Sequence, residues 1–212
     1  MTSIRLSELR YPVVTLGPGR RLGVWFQGCH LACPGCMSTD TWDPDAADAQ
    51  PLGEVVDRCR ALVDDELSGI TISGGEPFEQ PDALAALVPA LREAFAAHDP
   101  DLLVYSGFDL EVLRHRHAPV LGLVDAVITG RYLAQQPTSA PWRGSQNQQL
   151  VVLSVRGRER YVRPAEAHTG LQVTVEEGRF TLTGVPRPGE LEQLQRALED
   201  AGIHLREATW RS

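Results

Sequence analysis

Three of the four cysteines in this 212-residue chain lie within eight positions, in the segment Gly28-Cys29-His30-Leu31-Ala32-Cys33-Pro34-Gly35-Cys36. Thiols separated by three and then two residues can surround one small metal centre, either an iron–sulfur cluster or a zinc ion. Leu22, Val24 and Phe26 alternate just before this loop and predict a first strand that delivers it. The spacing favours a metal site in a reducing compartment over a disulfide framework.

The number of available ligands separates the two kinds of metal site. A structural zinc ion normally has four protein ligands, whereas the loop offers three cysteines and no second cysteine pair follows it. His30 is a poor fourth ligand, because adjacent residues on a short loop rarely point at one ion. Cys59 falls on the apolar face of a predicted helix, so we expect a buried core residue there. An open three-cysteine site is the favoured interpretation, and structural zinc is the alternative.

Composition limits the partners. The formal net charge of −8 argues against general binding to nucleic acid, which depends on clustered cations. The first eight residues contain no apolar run with a small-residue cleavage site, and no later stretch reaches the roughly 20 apolar residues of a membrane span. We therefore expect a cytoplasmic protein with no nucleic-acid or membrane partner.

A second motif follows a short buried strand predicted over residues 70–73. That strand ends in Gly74-Gly75-Glu76-Pro77. Two glycines at a strand end permit close approach of a ligand to the backbone, and the carboxylate that follows can accept from an ammonium group. An ordinary turn is the alternative interpretation, since the spaced glycines of a dinucleotide-binding loop are absent.

Apolar periodicity predicts alternating strands and helices over the first 150 residues. Helices are expected over 52–63, over 84–95 and, as a short element, over 110–113; Pro81 suits a first helical position, and Pro89 predicts a kink. Further strands are expected over 102–105 and 126–129. This order predicts an α/β fold with a largely parallel sheet and helices outside.

The pattern changes after residue 150. Residues 150–155, 171–175 and 180–185 read as strands, with a turn at Glu176-Glu177-Gly178. A final helix carries Leu191, Leu194 and Leu198 on one face, with Pro188 near its start and Gly202 as its stop. We predict a core over residues 1–150 and a small α+β extension over 151–212.

The two motifs together resemble those of the radical S-adenosylmethionine (radical SAM) superfamily. That resemblance implies a partial (β/α) barrel of parallel strands with its chemistry at the carboxyl edge of the sheet. It also implies a [4Fe-4S] cluster in which three cysteines bind three irons and S-adenosylmethionine chelates the fourth. The cysteines that match are Cys29, Cys33 and Cys36.

The same resemblance implies further contacts with S-adenosylmethionine. Gly74, Gly75 and Glu76 correspond to the segment that holds the methionine amino group, and the backbone near Gly35, Cys36 and Met37 corresponds to the adenine contact. Gly35 departs from the aromatic residue that many members carry there. Ser106 and Thr129 close the third and fourth predicted strands and are additional candidates, with plain strand-to-helix turns as the alternative. No catalytic residue beyond the cluster ligands is assigned.

Within the superfamily, the chain is most similar to the glycyl-radical-enzyme activating group, which includes the activators of anaerobic ribonucleotide reductase. The similarity covers about residues 11–150 and rests on these segments: Gln27-Gly28-Cys29, Cys33-Pro34-Gly35-Cys36, Thr41-Trp42, 105–108, 125–132 and 142–148. It implies a glycine of a partner glycyl-radical enzyme as the substrate, and an electron donor of low potential, of the flavodoxin or ferredoxin type. Met37-Ser38 departs from the Tyr-Asn pair often found there and leaves the partner open.

Three alternatives stand beside this interpretation. A radical SAM enzyme acting on a small molecule or on a peptide would carry the same two motifs. A non-catalytic iron–sulfur or zinc protein would not need Gly74-Gly75-Glu76, and an electron carrier normally gives its cluster four cysteines.

The segment 143–148 either docks a partner or is a solvated loop, and its turn residues favour the loop.

Overall fold

The computed structural model describes residues 2–161, 170–176, 179–187 and 189–204. Strands and helices follow in this order: β1 Ser3–Ile4, β2 Leu6–Val13, β3 Arg21–Phe26, β4 Gln50–Pro51, α1 Leu52–Leu62, β5 Gly69–Gly74, α2 Pro81–Ala94, β6 Asp101–Tyr105, α3 Leu110–Arg116, α4 Ala118–Leu121, β7 Ala126–Thr129, β8 Gln149–Val152, α5 Val155–Tyr161, β9 Leu171–Glu176, β10 Arg179–Gly184 and α6 Glu190–Asp200. Among the described helices, none has the length and apolar character that a membrane span requires.

A six-stranded mixed sheet forms the centre of the fold, in the order β2-β3-β5-β6-β7-β8. The four inner strands are parallel, as the sequence predicts. The two edge strands, β2 and β8, are antiparallel to their neighbours, so the largely parallel sheet that the sequence predicts is a mixed one. The links to these two strands explain the difference. Residues 14–20 and the helix-free residues 130–148 provide no crossover helix, which a parallel connection normally needs.

Alternating residues of the inner strands place an apolar face against helices α1 to α4. Leu22, Val24, Phe26, Ile70 and Ile72 are buried in this core. Cys59 of α1 is fully buried in the same core, which confirms its predicted packing role. Helix α2 begins at Pro81, as predicted, and continues through Pro89.

A buried ionic network lies at the end of the sheet opposite the cysteine loop. Arg21 opens β3 and forms two hydrogen bonds of 2.9 and 3.0 Å with Asp101, which opens β6. Arg21 also donates to Thr71 Oγ1 at 2.6 Å, and the Tyr161 hydroxyl donates to Asp101 at 2.6 Å. Because the charges are paired and hydrogen-bonded, their burial is tolerated. The network fixes α5, through Tyr161, against the sheet.

The strand predicted over residues 150–155 is placed differently. Residues Gln149–Val152 form β8 and pair with β7, so they belong to the central sheet. Helix α5 starts at Val155 and was not predicted. Its start is set by Ser154, whose Oγ accepts from the Gly157 amide at 2.9 Å and whose carbonyl accepts from Arg158. This is helix capping, and it ends the strand.

The expected strands near 171–175 and 180–185 form the antiparallel hairpin β9–β10, and α6 follows. Gly202 has a φ of +76° just beyond α6, as expected for a helix stop. Two further sequence predictions, the turn residues Glu177 and Gly178 and the position of Pro188, lie outside the described residues.

Candidate functional site

A large cavity, about 1270 Å³, lies beside the carboxyl ends of the inner strands. It exceeds the roughly 300–1,000 Å³ of a typical small-molecule site. The predicted site residues that line it are Cys29, Cys33, Cys36, Met37, Gly74, Gly75, Glu76 and Ser106. Gly35 and Thr129 do not line it, although their neighbours Cys36 and Gly130 do. The structure thus brings the two sequence motifs together in one cavity.

The cysteine loop is held at its base by the residues that follow it. The Gln27 side chain donates to the carbonyls of Asp40 and Asp43 at 3.0 and 2.7 Å. The amides of Gly28 and Cys29 donate to the carbonyls of Thr41 and Trp42 at 2.8 and 3.0 Å. The Thr41-Trp42 pair that the sequence singled out therefore forms the backbone clamp that fixes the loop.

The three thiols are withdrawn from solvent to different degrees. Cys33 is buried, and Cys29 and Cys36 are half-buried. Burial raises the pKa of Cys29 to about 11, against the opposing effect of the Leu31 and Ala32 amides. Burial also raises the pKa of Cys36, against the opposing effect of the Ser38 amide. A bound cation reverses this preference, because a metal-coordinating thiol gives up its proton.

The donor set fits an iron–sulfur cluster. Among the described residues, no three cysteine, histidine or acidic side chains converge on the position of a single metal ion. A four-iron cluster does not need that convergence, since each cysteine binds a different iron. Cys29, Cys33 and Cys36 supply the soft thiolates that such irons prefer, and all three face the same cavity.

His30 is directed elsewhere. Its Nδ1 lies 2.7 Å from Glu79 Oε2, and its amide donates to Glu79 Oε1 at 3.0 Å. The imidazole is 80% exposed. This placement agrees with leaving His30 out of the ligand set and makes Glu79 an outer anchor of the cysteine loop.

Gly74 and Gly75 are required by packing, Gly74 against the backbone of β3 and Gly75 against the cysteine loop. Gly74 has a φ of +103°, and a Cβ there would lie 2.4 Å from the backbone of Phe26. A Cβ on Gly75 would lie 2.2 Å from the carbonyl oxygen of Gly28. The Glu76 amide donates to that same carbonyl at 2.9 Å. The two glycines thus let the end of β5 pack on β3 and on the start of the cysteine loop, a reason that differs from the expected close approach of a ligand.

Glu76 joins the ends of β5 and β6. Its Oε1 accepts from Ser106 Oγ at 2.9 Å and from the Phe78 amide at 3.1 Å, and its Oε2 accepts from the Gly107 amide at 2.7 Å. The carboxyl is buried, and this burial raises its pKa to about 7. Glu76 and Ser106, which the sequence proposed separately, are therefore direct neighbours. Their contact with S-adenosylmethionine stays a prediction.

The segment 143–148 is packed and is not a solvated loop. Ser145 is fully buried, and its Oγ accepts from the Leu133 amide at 3.1 Å. Gln148 accepts from the Gly144 amide at 2.7 Å and donates to the Gly130 carbonyl at 3.0 Å. These bonds hold the segment at the end of β7, beside the cavity that Gln148 lines.

Sequence reasoning missed several residues that line the cavity. Tyr132 is one of them, and its ring lies 3.8 Å from the position of a Cβ on Gly35, where an aromatic residue was noted as missing. Others come from β2, β3 and the C-terminal segment, among them Glu8, Arg10, Trp25, Phe180, Thr181, Leu182, Thr183, Ile203 and His204. Tyr132 ends the segment 125–132 that carries the family similarity, but that similarity gave it no role in the site, and no local signal marks the residues of β2, β3 and the C-terminal segment.

Comparison with known proteins identifies the family. Residues 15–151 match the family model of a 4Fe-4S single cluster domain. They contain the cysteine loop and five of the six strands of the central sheet, apart from the last residue of β8, whereas β2 lies before the match. The chain belongs to this 4Fe-4S single cluster domain family. The match ends before α5, the β9–β10 hairpin and α6.

Curated relatives of the 4Fe-4S protein carry a more specific description. This chain is 31% identical over 144 residues to the anaerobic ribonucleoside-triphosphate reductase-activating protein of Salmonella typhi, and the aligned region covers 65% of this chain and 92% of the relative. The protein of that name from Escherichia coli K12 is 28% identical over 146 residues, with the same shares. The one from Enterobacteria phage T4 is 29% identical over 136 residues, covering 63% and 85%.

Proposed function

We propose that this 4Fe-4S protein is a radical SAM activating enzyme that generates a glycyl radical on a partner enzyme. The observation that carries the proposal is the meeting of the cysteine loop and Gly74-Gly75-Glu76 in one cavity. The cavity leaves room for a ligand beside the three cysteines, which an electron carrier does not need. The relatives, which activate anaerobic ribonucleoside-triphosphate reductase, support the activating role.

In this proposal the chain contributes binding and exclusion of solvent. Cys29, Cys33 and Cys36 hold three irons of the [4Fe-4S] cluster. When bound and reduced, the cluster with S-adenosylmethionine supplies a 5′-deoxyadenosyl radical that takes a hydrogen atom from the substrate. The methionine amino group is assigned to Gly74, Gly75 and Glu76, and the adenine to the backbone near Gly35, Cys36 and Met37. Ser106 and Thr129 are additional candidate contacts with S-adenosylmethionine.

The positions of Glu76 and of the cysteine loop fit their proposed roles. Glu76 is already hydrogen-bonded to Ser106 and Gly107, so its carboxylate is fixed in place before a ligand arrives. The clamp at Thr41 and Trp42 fixes the cysteine loop in the same way. Preorganised groups of this kind lower the entropic cost of binding and keep water from the reacting centre.

The remaining parts of the proposal concern the surroundings of the enzyme. The substrate is a glycine of a glycyl-radical enzyme, and the electron comes from a donor of low potential, of the flavodoxin or ferredoxin type. A reducing, cytoplasmic setting suits the four free cysteines. Residues 1–150 form the radical SAM core, a partial barrel, and residues 151–212 its extension.

The test is anaerobic reconstitution with iron and sulfide, followed by reduction with S-adenosylmethionine present and chromatography for 5′-deoxyadenosine. We expect product from the wild type and from Cys59→Ala, and none from Cys33→Ala. Cys59 is the matched control because it is buried in the helix-side core and does not line the cavity. Formation of an intact cluster that yields no 5′-deoxyadenosine under several reductants would refute the proposed chemistry.

A further inference from the structure

The β9–β10 hairpin lies outside the family match and yet forms part of the cavity. Residues 180–186 of β10 and the turn after it line the cavity together with the three cysteines. Ile203 and His204, which follow α6, line it as well. One wall of the candidate reaction cavity therefore comes from the part of the chain that the family core lacks.

The hairpin rests on the segment that follows β2. Gln172 donates to the Pro12 carbonyl at 2.8 Å and accepts from the Val14 amide at 3.1 Å. Thr15 Oγ1 donates to the Thr183 carbonyl at 2.9 Å. Gln172 and Thr183 are directly opposed in the hairpin, so the polar face that they share is the one that faces the β2 side.

The base of the hairpin also reaches the other side of the sheet. Gly170 and residues 185–187 share a small cavity, about 20 Å³, with residues 138–140 and with Thr15. Residues 138–140 belong to the link between β7 and the edge strand β8, whereas Thr15 follows the edge strand β2. The hairpin thus bridges the two edges of the sheet, near β2 and near β8, and closes the side of the cavity between them.

Arg10 of β2 lines the cavity and contacts the β9–β10 hairpin. Among the described residues that line the cavity, Arg10 is the one lysine or arginine. Its guanidinium donates to Thr183 Oγ1 and to Glu8, and lies 5.6 Å from the centre of the Trp25 ring. The side chain is only 11% exposed. A cation so enclosed, with a hydroxyl of the hairpin as one of its acceptors, forms a strong tether.

We propose that Arg10 is a positioning residue that holds the β9–β10 hairpin as the substrate-side wall of the cavity. The extension then limits which solutes, or how wide a polypeptide segment, can reach the cluster. This proposal rests on the proposed function in one respect, which is that a cluster occupies the cavity. It adds that access to the cluster is selected by size and that the selecting element is the hairpin.

The experiment compares the access of two iron chelators to the reduced, reconstituted full-length protein. One chelator is small and neutral, 2,2′-bipyridine; the other is bulky and anionic, bathophenanthroline disulfonate. For Arg10→Ser we expect iron release to the bulky chelator to rise about tenfold, the factor that follows from losing one charge-assisted hydrogen bond. Release to 2,2′-bipyridine should change less than about twofold. Electrostatics alone predicts the opposite sign, because removing a cation disfavours an anionic chelator.

Three variants separate this role from a general loss of structure. Thr183→Val removes the acceptor of the same contact, so it should act in the same direction and add little to Arg10→Ser. Arg10→Lys keeps the charge and a donor, and should restore much of the size selection. Arg60→Ser is the control, since Arg60 is exposed on α1 and pairs with Asp57 at 2.8 Å, away from the cavity. It should leave the ratio of the two rates unchanged.

Equal acceleration with both chelators, or a ratio in Arg10→Ser that equals that of Arg60→Ser, would overturn the proposal. The readout is separate from 5′-deoxyadenosine formation, so a protein that binds a cluster but cleaves no S-adenosylmethionine still tests the wall. Where no cluster assembles, alkylation of Cys29, Cys33 and Cys36 by iodoacetamide and by fluorescein maleimide gives the same size ratio. The buried Cys59 serves as the internal standard, and a ratio unchanged by Arg10→Ser again overturns the proposal.

Discussion

The buried carboxyl of Glu76 should make the folded protein more stable at acidic pH than at neutral pH. Burial raises its pKa to about 7 from an ordinary value of 4.5, and the nearby Glu79 adds to the rise, although hydrogen bonds from Gly107, Phe78 and Ser106 oppose it. The unfolded chain therefore loses this proton near pH 4.5, whereas the folded protein keeps it to about pH 7. Between these values the folded state binds more protons, so the free energy of unfolding falls as pH rises.

The magnitude follows from the two pKa values. One pKa unit corresponds to about 1.4 kcal/mol, so the whole effect is about 3 kcal/mol. About 2 kcal/mol of it lies between about pH 5.5 and about pH 8. Glu76→Gln keeps the size and a carbonyl acceptor but cannot titrate.

The assay is urea unfolding of the metal-free protein under anaerobic, reducing conditions at both pH values. The difference in unfolding free energy between wild type and Glu76→Gln should shift by about 2 kcal/mol between the two, with the wild type relatively more stable at the acidic pH. The control is Glu111→Gln, at an exposed glutamate of α3, and it should show no such shift. Parallel pH profiles for the wild type and Glu76→Gln would refute the reasoning, because they would show a carboxyl that ionises alike in both states.

Two further predictions concern packing beneath and beside the cavity. Asp101→Ala leaves the buried Arg21 without its charge partner and should lower the free energy of unfolding by about 3–5 kcal/mol in urea titration, whereas Asp57→Ala, in an exposed pair, should cost less than about 1 kcal/mol. Equal costs would contradict the buried network. Gly75→Ala forces a Cβ into the cysteine-loop backbone and should lower the iron bound after reconstitution at least severalfold; Gly53→Ala, where nothing lies within 4 Å, should assemble a full cluster. Full iron loading of Gly75→Ala would show that the two loops need not touch.

The inner strands of the fold were predictable because their sequence pattern is local. Leu22, Val24 and Phe26 alternate, and the short apolar runs at 70–73, 102–105 and 126–129 are separated by helical spacing. The edges of the sheet were not predictable in the same way. The antiparallel direction of β8 depends on a link without a helix, and the start of α5 depends on the side chain of Ser154.

The candidate site divides along similar lines. The cysteine loop and Gly74-Gly75-Glu76 are contiguous motifs, so the sequence alone predicted that they carry the chemistry. The contacts of Glu76 with Ser106 and Gly107 join residues about thirty positions apart, and no spacing rule reveals them. The wall formed by β10 is more distant still, since Arg10 meets Thr183 across nearly the whole chain. Such contacts become visible only when the chain is folded.

In the proposed enzyme, three cysteines hold a cluster whose fourth iron binds S-adenosylmethionine. The most direct measurement is electron–nuclear double resonance on the reduced, reconstituted protein, with S-adenosylmethionine that carries the heavy nitrogen isotope in its methionine amino group. We expect a hyperfine coupling between that nitrogen and the cluster, because the proposed chelation would join the amino group directly to iron. An intact, reduced cluster with S-adenosylmethionine bound to the protein but no nitrogen coupling would contradict it.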